Sequence, residues 1–177
     1  LSSIQEDATY ASTQVAARFS SLNALVFAFK PAVCVSNNSK RSASFETATL
    51  YQYQFRMGPV TVPSQPIKFS STNFAELIPV VNEAFGISRS HVGEAGITWL
   101  SESIASEEDI ESTDGYKGGT FCAGISTSSY PGSTESLMNS GQNSISQLIF
   151  IETWFTAVPH DVRMYCFANY DCLYSLA

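Results

Sequence analysis

Apolar and polar side chains alternate most cleanly over residues 49–57, where Tyr51, Tyr53, Phe55 and Met57 fall on one face and Gln52, Gln54 and Arg56 on the other. A period of two is the mark of a β-strand with one buried face, and Gly58-Pro59 ends it. Residues 18–30 gather Phe19, Leu22, Leu25, Phe27 and Phe29 before Pro31, and predict a second strand with Val33-Cys34-Val35 as a short continuation. Residues 119–126 place Phe121, Ala123 and Ile125 on alternate positions. Residues 144–155 carry Ile145, Leu148, Ile149, Phe150, Ile151, Trp154 and Phe155. Residues 162–176 alternate Val162, Met164, Cys166 and Ala168, then run on through Leu173 and Leu176. Between these, residues 60–67 hold Pro63 and Pro66, which cannot donate to a ladder, so that stretch reads as an extended edge or loop.

One segment follows a helical period instead. Ser71-Thr72-Asn73 offers an N-cap, Phe74, Leu77, Ile78, Val81 and Phe85 recur at steps of three and four, and Gly86 closes the run. Pro79 inside it predicts a kink or an early break. Turn-rich stretches cover residues 36–42, 86–120 and 127–143. The second of these includes the cluster Ile97-Thr98-Trp99-Leu100 and the acidic run Glu107-Glu108-Asp109-Ile110-Glu111. Residues 1–17 are mixed and polar, and read as a short helix or as a lead-in arm or inter-domain connection. Five or six strands, one or two short helices in the loops and no internal repeat predict a mainly β chain, an antiparallel sandwich over residues 18–177. Long excursions between strands fit a jelly roll. The first residue is Leu1 and not Met, so the chain is expected to be a piece of a longer or processed polypeptide.

Composition narrows the function. Only 14% of the 177 residues are charged, against about 25% in an ordinary soluble domain; a low-charge, Ser/Thr-rich surface suits packing against copies of itself. The net charge of −7 and the scatter of nine basic residues, with Lys40-Arg41 as the only adjacent pair, argue against direct contact with nucleic acid. No apolar run reaches the ~18 residues of a membrane span. Cys34, Cys122, Cys166 and Cys172 contain no C-x-x-C, so buried free thiols are expected, and with them assembly in a reducing compartment.

The chain offers little catalytic chemistry. His91 and His160 lie in turn-like contexts, and no G-x-S-x-G elbow accompanies either. Counting a calcium loop from Asp109 puts Asp114 where glycine is required and Thr120 where glutamate is required, so a solvated acidic loop is expected. Gly93, Gly96, Gly118 and Gly119 form no phosphate-cradling pattern. The expectation is a protein with no catalytic residues, cofactor or metal of its own.

Four motifs in order carry a resemblance. Tyr51-Gln52-Tyr53-Gln54-Phe55-Arg56-Met57-Gly58 followed by Val62-Pro63-Ser64-Gln65-Pro66-Ile67 is similar to a stretch of double-jelly-roll viral major capsid proteins of the polinton and virophage lineage. There an aromatic strand ends in Arg-x-Gly and leads into Pro-x-x-Pro-Ile and a helix. Residues 18–31 look like the first strand of that family's second jelly roll, Ser140-Gly141-Gln142-Asn143 like its Ser-Gly-x-Asn turn, and Tyr170-Asp171-Cys172-Leu173 like its closing strand. Met57 departs from the β-branched residue common there. The resemblance implies a virion protein that trimerises into capsomers of an icosahedral shell. It also implies contacts with neighbouring capsomers, penton and minor capsid proteins, with loops 86–120 and 127–143 at the outer or trimer surfaces. Arg56, Gly58, Pro63, Pro66, Ser140, Gly141, Asn143, Tyr170, Asp171 and Leu173 would be structural residues. The alternatives are a carbohydrate- or receptor-binding sandwich, suggested by Trp99 and Trp154, and a hydrolase using His91 or His160.

Overall fold

The structure is a computed structural model that describes residues 2–32, 35, 45–70, 73, 75–85, 121–128 and 141–172. Among them it forms eight strands and one α-helix. The strands are β1 (Ser2–Ile4), β2 (Tyr10–Val15), β3 (Leu22–Pro31), β4 (Leu50–Met57), β5 (Val60–Lys68), β6 (Ala123–Ser126), β7 (Ile149–Phe155) and β8 (Val162–Tyr170); α1 (Leu77–Ala84) lies between β5 and β6. They make two four-stranded sheets, ordered β1-β8-β3-β6 and β2-β7-β4-β5, with every pairing antiparallel. The expected mainly β, antiparallel sandwich is what the chain forms.

The pairing is nested: β4 pairs with β5, β3 with β6, β2 with β7 and β1 with β8. The chain is thus one long hairpin whose tip is the β4–β5 turn. Rolling that hairpin adds the β3–β8 and β4–β7 ladders and separates the two sheets. The tip is a two-residue turn between Met57 and Val60, with Gly58 at φ +57. A positive φ at the first of two turn residues suits glycine, which has no Cβ to clash, and it matches the twist of the flanking strands.

The core lies between the sheets. Phe27, Phe29, Tyr53, Phe55, Phe121 and Phe155 are buried there, and Phe27 meets Tyr53 and Phe55 edge-on at 5.3 and 5.9 Å between ring centres. Edge-to-face contacts set the positive rim of one ring against the negative face of the next, adding about 0.5–1.5 kcal/mol per pair beyond area burial. The Tyr53 hydroxyl donates across the sandwich to the Gly124 carbonyl at 2.8 Å, fastening β4 to β6. The sheet edges are blunted: β1 and β6 are short, β2 is polar, and β5 carries Pro63 and Pro66 at its break in register with β4.

Several expectations are corrected. The N-terminal segment supplies β1 and β2 and is not a lead-in arm, so the described residues hold eight strands. The alternation in Tyr10–Val15 is one of exposed against half-buried side chains, too shallow in hydrophobicity to stand out. Tyr51 is exposed, because a register shift between Leu50 and Gln52 puts Leu50 on the core face in its place. The helix starts at Leu77 with no side-chain cap, while the Asn73 side chain accepts from Ala75 N–H instead. Pro79 is its third residue, where an N–H has no intrahelical acceptor, so the helix continues through it. β7 begins at Ile149, leaving Ile145 and Leu148 exposed in the preceding turn. Val33, Cys34, Phe74 and residues 86–120, 129–140 and 173–177 lie outside the described residues, and with them His91, Trp99, the acidic run, Ser140, Leu173 and Leu176.

Candidate functional site

Two of the sequence motifs far apart in the chain meet at one corner. β3 enters the sandwich at Leu22, whose N–H and C=O exchange hydrogen bonds with Gln142, both at 2.9 Å. Gly141 N–H donates to Ser21 Oγ at 3.1 Å, and the Ser21 hydroxyl donates to Asp171 Oδ2 at 2.6 Å. Asn23 Nδ2 donates to Asp171 Oδ1 at 2.7 Å, and Asp171 N–H donates to the Ser21 carbonyl at 3.0 Å. A Cβ on Gly141 would fall 2.7 Å from the Leu22 backbone and 2.6 Å from Asn23 Oδ1, so the approach admits only glycine.

Neighbouring residues extend the corner. Tyr170 stacks on Phe19 with ring centres 3.9 Å apart and planes 12° from parallel. Asn143 Oδ1 accepts from Ile145 N–H at 3.0 Å, which shapes the turn into β7. Ser144 is fully buried; its hydroxyl donates to the Ala17 carbonyl at 2.9 Å and accepts from Phe19 N–H at 3.0 Å. Gly141, Asn143, Tyr170 and Asp171 therefore act together, with Ser21, Asn23 and Ser144 as partners that sequence reading missed. An Asn and two Ser beside apolar runs look like ordinary surface residues in one dimension. The Ser21 hydroxyl gives its hydrogen bond to the Asp171 carboxylate, which clasps the entry of β3 to the residue that follows β8.

The other motif residues lie elsewhere. Arg56 Nε is 3.1 Å from Glu152 Oε1, and its guanidinium lies 4.3 Å over the Phe150 ring. Pro63 and Pro66 form the break in β5, where the Pro63 carbonyl accepts from Gln54 Nε2 at 2.8 Å. Arg56, Glu152 and Phe150 all point to the outer side of the β2-β7-β4-β5 sheet, as does Trp154, whose ring is 5.3 Å from that of Tyr10.

His160 Nε2 lies 2.8 Å from Glu46 Oε1, half-buried at one end of the sandwich. The pair ties the turn before β8 to a segment whose Glu46 N–H bonds the Phe29 carbonyl. A groove of about 550 Å³ runs between α1 and the outer side of the β1-β8-β3-β6 sheet, lined by Val26, Ala28, Phe45, Phe85, Phe121 and Phe167 among others. Its lining side chains are apolar apart from Asn169 and the Cys122 thiol, and among the described residues it gathers no acid–base pair. Burial pushes the Cys122 and Cys166 thiols up to about 11, which keeps both protonated; Cys172 is exposed, not buried. Among the described residues no three His, Cys, Asp or Glu side chains converge as a metal site, and no helix is long and apolar enough to cross a membrane. Comparison of the chain with protein-family models, curated proteins and solved structures finds no match.

Proposed function

We propose that this chain is a structural module of a protein shell, the second jelly roll of a viral major capsid protein, working by contact with copies of itself and without catalysis. The observation that carries the reading is the nested pairing: a long hairpin rolled into sheets β1-β8-β3-β6 and β2-β7-β4-β5 is the wrapping that a jelly roll requires. The clasp at Ser21, Gly141 and Asp171 supports it further. Segments singled out by the resemblance meet there at a glycine-only approach, which explains structurally why those residue types stand in that order. Half-buried, protonated thiols at Cys122 and Cys166 suit assembly in a reducing compartment. The trimer, the neighbouring capsomers and the penton and minor capsid proteins belong to the same proposal. Light scattering on the longer parent polypeptide, coupled to size exclusion, tests it: a stable trimer is expected, and a monomer at tens of micromolar would overturn the reading.

A further inference from the structure

We infer that the outer face of the β2-β7-β4-β5 sheet is a binding platform for a neutral oligosaccharide, an activity beyond shell building and independent of it. The ladder registers set three rows of outward side chains across this face. Tyr10, Trp154, Gln52 and Lys68 form the first, Ser12, Glu152 and Gln54 the second, and Gln14, Phe150, Arg56 and Thr61 the third. With strands about 4.8 Å apart, the first row spans about 14 Å. One end of it is aromatic: Tyr10 is 49% exposed and its ring lies 5.3 Å from that of half-buried Trp154, tilted by 52°. The other end is an amide and an ammonium.

That arrangement matches the two surfaces of a pyranose. A sugar ring presents a patch of C–H groups, which stack on aromatic faces, and a rim of hydroxyls, which need donors and acceptors held in a plane. Tyr and Trp supply large contact area with few rotatable bonds. Gln52, Gln14 and Ser12 supply hydrogen bonds of both kinds. The platform is stiff, since it is a sheet and its middle is pinned by Gln54 to the Pro63 carbonyl and by Glu152 to Arg56. A stiff site loses little entropy on binding.

Charge selects the class of ligand. The Arg56 guanidinium is matched by Glu152 at 3.1 Å, and Lys68 has the Glu76 carboxylate on its own backbone N–H at 3.2 Å. The Arg56–Glu152 pair thus cancels at the middle of the face, and Lys68 stands at its β5 edge. A polyanion would meet one lysine ammonium at the edge of this face, on a chain already at −7. An uncharged polyol brings no charge of its own and exchanges hydrogen bonds with the amides and hydroxyls. Against a protein partner, the middle row is polar and lacks the apolar centre of an interface core.

The test is a titration of the ¹⁵N-labelled 177-residue chain with malto-, cello-, xylo-, manno- and chito-oligosaccharides and N-acetyllactosamine, with heparin and hyaluronan fragments as anionic counterparts. At least one neutral sugar should shift the amides of residues 10–14 and 150–154. Trp154→Ala should weaken that binding about tenfold or more, and Trp154→Phe should keep part of it. Tyr10→Ala and Gln52→Ala, also on the outer face, carry the same expectation if Trp154→Ala does not fold. The inference is overturned if no neutral sugar shifts these amides at about 10 mM, or if only the anionic fragments do. It is also overturned if the variants bind unchanged, or if Trp154→Ala alters the sedimenting mass, which would make the face a protein contact. None of these outcomes depends on whether the proposed trimer forms.

Discussion

Replacing Asp171 with Ala removes the acceptor of two side-chain hydrogen bonds, from Ser21 Oγ at 2.6 Å and Asn23 Nδ2 at 2.7 Å, and strands both donors in a half-buried corner. A hydrogen bond to a charged group contributes about 1.5–3 kcal/mol. Water can reach part of this corner and replace part of the loss, so the expected cost is about 2–4 kcal/mol. In a domain of 177 residues each kcal/mol lowers Tm by about 2–4 °C, which gives a drop of roughly 5–15 °C. Asp171→Asn should cost about half as much, because its amide presents one acceptor oxygen to two donors. Calorimetry with urea unfolding is the assay. The midpoint should fall at an unchanged m-value, and the Ser21→Ala/Asp171→Ala cycle should show a coupling of about 1 kcal/mol. A Tm change under about 2 °C, or additive single mutants, would refute the clasp.

Gly141→Ala should cost at least about 2 kcal/mol, since its Cβ meets Leu22 backbone atoms at 2.7 Å; thermal melts check it, and a neutral result would remove the glycine requirement. Tyr53→Phe leaves the Gly124 carbonyl without its cross-sandwich donor and should cost about 1–3 kcal/mol in urea unfolding. Burial raises the Tyr53 phenol far above its ordinary 10.0, so its contribution is whole below pH 10 and lost as the pH rises beyond it; absorbance at 295 nm should show this phenol ionising only with unfolding. Cys122 and Cys166, raised from 9.0 to about 11, should react with iodoacetamide at pH 8 about 100-fold more slowly in the folded chain than in guanidinium, read by peptide mass mapping.

The fold was legible in the sequence where apolar side chains alternate strongly. β4, β6 and the first half of β8 stand in the chain as hydrophobic periods, because one face of each fills the core. β1 and β2 do not: a three-residue strand has no period, and Tyr10–Val15 alternates only between exposed and half-buried. Their membership depends on ladders with β8 and β7 some 150 residues away, which no local pattern encodes. Tyr51 shows a different limit. Its alternation with Tyr53 is regular in sequence, yet one register shift turns it outward, and register is a property of the pair of strands. The clasp was half legible: Gly141, Asn143, Tyr170 and Asp171 were marked by motif, while Ser21, Asn23 and Ser144 became visible only when hydrogen bonds placed them together. The proposed platform was visible in sequence as Trp154 and the Gln52, Gln54 and Arg56 face of β4, while Tyr10 joins it only through a cross-strand pairing.

Electron microscopy at assembly concentration of the two-jelly-roll protein that the proposal implies tests the central claim most directly. A shell module predicts closed particles of uniform diameter tiled by three-fold capsomers, with this sandwich fitting one half of each protomer. A well-folded polypeptide that stays dispersed at every concentration and salt tried, with no lattice and no closed particle, would contradict it.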